Sequence, residues 1–174
     1  LGIMGESPKL AAEESLTFAK RVMSTVAGRD PVVVGVSAAG FAAMSGLSRK
    51  VMDAGAAGVM IAPPSTLRTD DQIVAYYADA VEAIGADTPF VIQDYPLVTN
   101  VVMTPKVIMR IIEQSPSCVM LKHEDWPGLD KITTLRRASA DGQVRRVSIL
   151  CGNGGLFLPF EVERGADGAM TGYA

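Results

Sequence analysis

The sequence predicts an α/β chain of parallel strands alternating with helices. The class is the (β/α)8 TIM barrel, with residues 1–174 forming a single, partial barrel domain. Three observations predict it. Short apolar runs recur at Val32–Val36, Gly58–Ala62, Phe90–Asp94, Cys118–Lys122, Val147–Cys151 and Gly168–Thr171, their first residues 26, 32, 28, 29 and 21 apart. A strand, a helix and two loops need about 25–30 residues, so the spacing is that of a βα repeat. The runs are near-continuously apolar, as parallel strands covered on both faces are. No nucleotide-binding glycine fingerprint accompanies them, which favours the barrel over a doubly wound sheet.

Taken in order, Gly2-Ile3-Met4-Gly5 reads as the tail of a strand that begins before residue 1. Seven strands can then be counted where a barrel needs eight. The missing first strand and the final helices are expected to lie outside these residues, so the chain reads as a piece of something longer. A barrel left open in this way has an unpaired edge and is expected to aggregate. Lys9–Ala27 carries Leu16, Ala19, Val22, Met23 and Val26 at helical spacing. The uncharged stretch Pro31–Ser48 is long enough to raise a membrane span. Its β-branched front and its Gly35, Gly40 and Gly46 read instead as a buried strand, a turn and a helix start. Thr69-Asp70-Asp71 is a helix-capping start for a stripe through Val74, Tyr77, Ala78, Val81 and Ile84. Thr104-Pro105 opens a helix carrying Val107, Ile108, Ile111 and Ile112, with Pro suited to the first turn. Gly128–Ala138 gives another. Gly55 to Met60 and Gly165 to Met170 match closely, each a glycine-stopped helix followed at once by a strand.

Composition narrows the function classes. The chain is 48% hydrophobic, which supports a real core and excludes disorder. Sixteen Lys and Arg against nineteen Asp and Glu give a net charge of −3, and aromatics are 6%. Neither phosphate neutralisation nor base stacking is supported, so no nucleic-acid partner is expected. Two cysteines form no disulfide framework, and with no basic-then-apolar leader a reducing, cytoplasmic setting is expected. No membrane partner is expected.

In a barrel of this kind the chemistry sits at the C-terminal ends of the strands. Lys122 ends a run of four apolar residues, Cys118 to Leu121, and strand parity puts it on the face of Met120 and Cys118. A lysine among apolar layers loses proton affinity, and a neutral amine attacks carbonyls. The plainer reading is a strand-end lysine reaching to water. His123 is the single histidine and faces away from Lys122 by parity, as a structural residue would. Cys118 and Cys151 read as small buried residues. Asp94, Glu124 and Asp125 end neighbouring strands and could hold Mg²⁺, or simply cap helices and line loops.

These residues resemble a known family. Gly2-Ile3-Met4-Gly5-Glu6-Ser7 with Leu10 and Glu13-Glu14, Ala54 to Val59 followed by Pro63, Gln93-Asp94-Tyr95-Pro96, Leu121-Lys122-His123-Glu124, Cys151-Gly152-Asn153-Gly154 and Gly165-Ala166-Asp167-Gly168 match, in order, segments of the dihydrodipicolinate synthase / N-acetylneuraminate lyase family. The resemblance implies a barrel from the second strand through the eighth, a tetramer, and Lys122 forming a Schiff base with pyruvate or another 2-oxo acid. The protonated imine is an electron sink for aldol addition, cleavage or dehydration.

The departures from the pattern shape the expectation. The family's Thr pair is Ile3-Met4, its strand-end Tyr is Gln93, its Arg is Val98, and its paired Tyr residues are Pro64-Ser65. Glutamine cannot act as an acid or base. Tyr95, two residues on, could bring a phenol over the site. Backbone N–H groups at Met4-Gly5 could hold a carboxylate, and a pocket with Ile3, Met4, Val98 and Met170 suits a less polar acceptor. Arg68 is a candidate replacement cation. The expectation is a Schiff-base-forming lyase or aldolase, other than dihydrodipicolinate synthase itself. Lys122 and Tyr95 are its catalytic residues and Met4, Gln93 and Met170 bind substrate, with no cofactor, no metal and a homo-oligomeric state. The alternatives are a non-catalytic relative that binds a 2-oxo acid, and a metal-dependent barrel enzyme.

Overall fold

The structure is a computed structural model and describes residues 1–3 and 5–172. Six parallel strands form one sheet in sequence order: β1 Val33–Gly35, β2 Gly58–Ile61, β3 Phe90–Asp94, β4 Cys118–His123, β5 Ser148–Cys151 and β6 Gly168–Ala169. Each strand pairs in parallel with the next. That is an open half-barrel, with β1 and β6 as its edges. Helices α1 Ala12–Val26, α2 Phe41–Asp53, α3 Asp70–Ile84, α4 Pro96–Thr99, α5 Pro105–Gln114, α6 Leu129–Ala140 and α7 Leu158–Glu163 fill the connections. Among the described residues no helix is long and apolar enough to cross a membrane.

The strand tail expected at Gly2 to Gly5 is not a strand among the described residues. Glu6 N–H bonds Ile3 C=O at 3.0 Å and Ser7 N–H bonds Gly2 C=O at 3.3 Å, so the backbone groups close a turn instead of a ladder. Leu1 does run against β1: a Cβ on Gly35 would lie 1.8 Å from the Leu1 carbonyl oxygen.

Helix ends follow the local chemistry. Thr69 Oγ1 accepts from Gln72 N–H while Gln72 Oε1 accepts from Thr69 N–H, a reciprocal cap on α3. Thr104 Oγ1 accepts from Val107 N–H ahead of Pro105, and Glu14 Oε2 accepts from Ala11 N–H at the start of α1.

The sheet has two unlike faces. Val59, Ile61, Phe90, Ile92, Cys118, Leu121, Ile149 and Cys151 pack with the helices in one apolar core. Tyr77 of α3 belongs to it, donating its hydroxyl to Ile61 C=O at 3.0 Å. Met60 and Val91 are buried outside that core, on the inner face. Register aligns Met60, Val91, Met120 and Ser148 there, and one layer on it aligns Gln93, Lys122 and Leu150.

One parity expectation is corrected. Phe90 pairs with Cys118 but Val91 pairs with Met120, so Val119 is an extra residue in β4. The bulge puts Cys118 in the helix-facing core with Leu121, while Met120 and Lys122 face inward. Cys118 and Lys122 are therefore on opposite faces.

Candidate active site

Lys122 is the penultimate residue of β4 and is 8% exposed. On its inner face stand Gln93, its register neighbour on β3, and Glu124, two residues further along its own chain. Glu124 Oε1 lies 3.3 Å from Lys122 Nζ, and Glu124 Oε2 accepts from Gln93 Nε2 at 2.8 Å. The three groups form one buried chain of amine, carboxylate and amide. The backbone fixes the carboxylate: Glu124 N–H bonds Asp94 C=O at 2.8 Å, and Asn153 Nδ2 donates to Glu124 C=O at 3.0 Å. Gly152, across the next strand end, supplies the room. A Cβ there would lie 2.3 Å from Glu124 Cγ, closer than atoms can approach.

Tyr95 is buried in the turn between β3 and α4. Desolvation first, and then the Glu124 charge, push its phenol above the usual tyrosine range. Gln93, Lys122, Glu124 and Tyr95 thus gather at one end of β3 and β4. Met170 follows β6, two strands from Lys122, half-buried and tied by its N–H to Cys151 C=O at 2.9 Å. Met4 lies outside the described residues. Ile3, Val98, Pro64 and Ser65 line a cavity of about 810 Å³ at the ends of β1 and β2, which Lys50 and Tyr76 also border. Lys122, Gln93 and Glu124 are not among the residues that line it. Arg68 is exposed and folds back onto Ser65 C=O at 2.5 Å and Leu67 C=O at 2.9 Å.

The next residue on each strand has a different fate. Asp94 and His123 face the helices. Lys131 of α6 reaches Asp94 Oδ2 at 2.6 Å and Asp125 Oδ2 at 2.8 Å. Asp94, with its charge buried, has its pKa pushed up to about 6, with Lys131 opposing the shift. The metal-site expectation for Asp94, Glu124 and Asp125 fails on geometry: two of the carboxylates share one lysine on the outer face, and the third is paired with Lys122 on the inner face.

Among the described residues a different set could hold a metal ion. His123, Cys151 and Glu161 are all buried, with ligand atoms within 4.8 Å of one another. Burial, and then the Lys131 charge, bring His123 down to about 4, and burial raises the Cys151 thiol to about 12. Gly128 admits the imidazole edge. Its φ of 57° is left-handed, and a Cβ there would lie 2.4 Å from His123 Nε2.

Sequence reasoning missed Glu124 as a partner of Lys122 and Gln93, and missed Lys131. The signal for the first was two-residue parity past Lys122. Nothing local marks the second, which lies 37 residues from Asp94.

The chain matches known proteins along nearly its whole length. Residues 1–174 match the family described as the Dihydrodipicolinate synthetase family. The chain belongs to that family. A dihydrodipicolinate synthase crystal structure from Rhodopseudomonas palustris is 66% identical with a TM-score of 0.96, covering 99% of this chain and 57% of that one. A 4-hydroxy-tetrahydrodipicolinate synthase of Thermus thermophilus is 29% identical over 174 residues, 99% of this chain and 56% of the relative. The prophage protein YagE from E. coli K12, solved in complex with pyruvate, shares the fold at 21% identity and a TM-score of 0.82. It is covered over 98% of this chain and 56% of its own. The chain thus spans about half the length of the family members it matches. The name carried by the 66%-identical protein weighs against the sequence expectation that the chain is something other than a dihydrodipicolinate synthase.

Proposed function

We propose that the protein containing this chain is a class I, Schiff-base-forming lyase or aldolase, and that Lys122 is its nucleophile toward pyruvate or another 2-oxo acid. One observation carries the reading: a buried lysine on the inner face, at the C-terminal end of a parallel strand, paired with a carboxylate on that same face. The amine adds to the C2 carbonyl, water leaves, and the resulting iminium accepts the electron pair released when a bond at C3 breaks. Gln93 and Tyr95 border the same space, Gln93 as a hydrogen-bond donor and Tyr95 as a phenol beside Glu124. Met4 and Met170 are proposed to border the substrate.

The kinship at 66% identity supports testing the acceptor of a dihydrodipicolinate synthase first. The departures at Gln93, Val98 and Pro64-Ser65 from the pattern the resemblance implies support testing less polar aldehydes beside it. The residues lining the cavity at the ends of β1 and β2, Ile3, Val98 and Pro64 among them, are of a kind that suits such a group. A cytoplasmic homotetramer remains part of the reading.

The test uses the full-length protein with pyruvate and borohydride, followed by peptide mass spectrometry. The expected result is a reduced adduct on Lys122, absent from Lys122→Ala. No adduct with pyruvate or a panel of 2-oxo acids would overturn the reading in favour of a relative that binds without covalent chemistry.

A further inference from the structure

We propose that Glu124 is the proton carrier of the Lys122 site, a catalytic carboxylate doing the acid–base work that Gln93 cannot do. This rests on Lys122 as the Schiff-base lysine. Carbonyl chemistry at that amine needs a group that gives and takes a proton at two places, the departing oxygen and C3 of the substrate. Glutamine has no proton to exchange near neutral pH. Asp94 and Asp125 are taken by Lys131, and His123 faces the helices beside Glu161. Tyr95 is near, but burial and the Glu124 charge keep its phenol protonated, which disqualifies it as the acceptor. Among the described residues, Glu124 alone combines an ionisable oxygen 3.3 Å from the reacting nitrogen with a second oxygen anchored by Gln93 at 2.8 Å. Gln93 thereby gains a role as a positioning residue, holding Oε2 so that Oε1 faces the amine. Gly152 gives the carboxylate its space.

The steps balance. A proton passes from the Lys122 ammonium to Glu124, leaving a neutral amine and a carboxylic acid. The amine lone pair forms the N–C2 bond, and the carbonyl π pair moves to oxygen. That oxygen takes one proton from the new ammonium to give the carbinolamine. Glu124 then delivers its proton to the hydroxyl, the C2–O bond breaks, and water leaves the iminium paired with the Glu124 carboxylate. The carboxylate next takes a proton from C3. The C–H pair becomes the C2=C3 bond and the iminium π pair returns to nitrogen, giving the neutral enamine that attacks the acceptor.

The first half of this can be watched without knowing the acceptor. Full-length protein is incubated with pyruvate in D₂O, methyl exchange is followed by proton NMR, and trapping by borohydride is measured on the same samples after long incubation. The unaltered protein is expected to trap and exchange. Glu124→Gln should still trap, while exchange per trapped enzyme falls at least about 100-fold, the scale of a lost general base. Glu124→Asp should recover part of the exchange, and Tyr95→Phe should lose less than about tenfold. Exchange in Glu124→Gln within about threefold of the unaltered protein would overturn the proposal, as would abolition by Tyr95→Phe alone. A folded Glu124→Gln protein that no longer traps supports Glu124 as the donor to the departing hydroxyl if Glu124→Asp restores trapping, and overturns the proposal if it does not. Should Glu124→Gln not fold, Gln93→Leu, which frees the carboxylate, must lower exchange per trapped enzyme or the proposal fails. Absence of trapping in the unaltered protein is a different failure, that of Lys122 itself.

Discussion

The two faces of β3 and β4 carry the same pair of groups and treat them oppositely. On the inner face one lysine meets one carboxylate at 3.3 Å, and the second carboxylate oxygen goes to an amide. On the outer face one lysine is clamped by two carboxylates at 2.6 and 2.8 Å. Neighbouring residues, Gln93 and Asp94 or Lys122 and His123, are divided between these fates by strand alternation alone. The outer pair is closed by α6 and holds the strand end to a helix. The inner pair is held on one side only, which leaves an amine with a direction in which to react. A buried ion pair is thus structural or reactive according to what lies on its open side.

The sharpest way to break this contrast is to remove each lysine in turn from the full-length protein. Lys122→Ala should lose the borohydride adduct and all turnover while keeping the folded state. Lys131→Met should keep the adduct and instead lose about 3–5 kcal/mol of stability by denaturant unfolding, because breaking the buried pair leaves Asp94 without its counter-ion. Equal loss of adduct in both would dissolve the distinction.

The outer face should also be visible in the pH dependence of stability. Asp94 rises from 3.8 to about 6 on folding. Its contribution is whole below the unfolded value and is lost as pH rises through about 6. His123 falls from 6.5 to about 4, so its contribution is whole above the unfolded value and is lost as pH falls through about 4. Between pH 4 and 6 the two slopes oppose. Relative to the unaltered protein, Asp94→Asn should make stability climb more steeply with pH in that window, and His123→Gln should make it fall. Urea midpoints measured across the window check the signs.

Gly152→Ala probes the inner face by volume. Displacing Glu124 should cost about 1–3 kcal/mol and slow pyruvate methyl exchange, whereas the adduct still forms. At the small end, the exposed Lys9–Glu6 pair belongs to neither face, and Lys9→Ala should leave stability and trapping unchanged within error.

Much of the frame was readable in the chain. Four of the six strands start where the apolar runs do, and the other two, Val33 and Ser148, one residue later. Thr69 and Thr104 cap the helices their side chains announce. The opening of the chain misled because its short apolar dipeptide reads as a strand end, whereas the carbonyls of Gly2 and Ile3 accept local hydrogen bonds from Ser7 and Glu6. Around the site, periodicity placed Gln93 and Lys122 at strand ends. It failed for Cys118, because a bulge is a property of two strands in register and leaves no mark on one. Glu124 was seen only as an oxygen donor, since its partners are set by the meeting of β3, β4 and the Gly152 turn.

Val119 has a consequence that reaches beyond register. A regular strand is a rigid sequence of phases: choosing which way its first side chain points chooses for the last. The extra residue in β4 cuts that link. Below it, position 118 answers to the helices; above it, position 122 answers to the lumen. The strand is therefore two independent modules spliced at one residue. Repacking its lower end leaves the aim of the amine untouched; drawing Val119 into regular alternation while Cys118 keeps its place would turn the imidazole of His123 inward and the amine of Lys122 into the core.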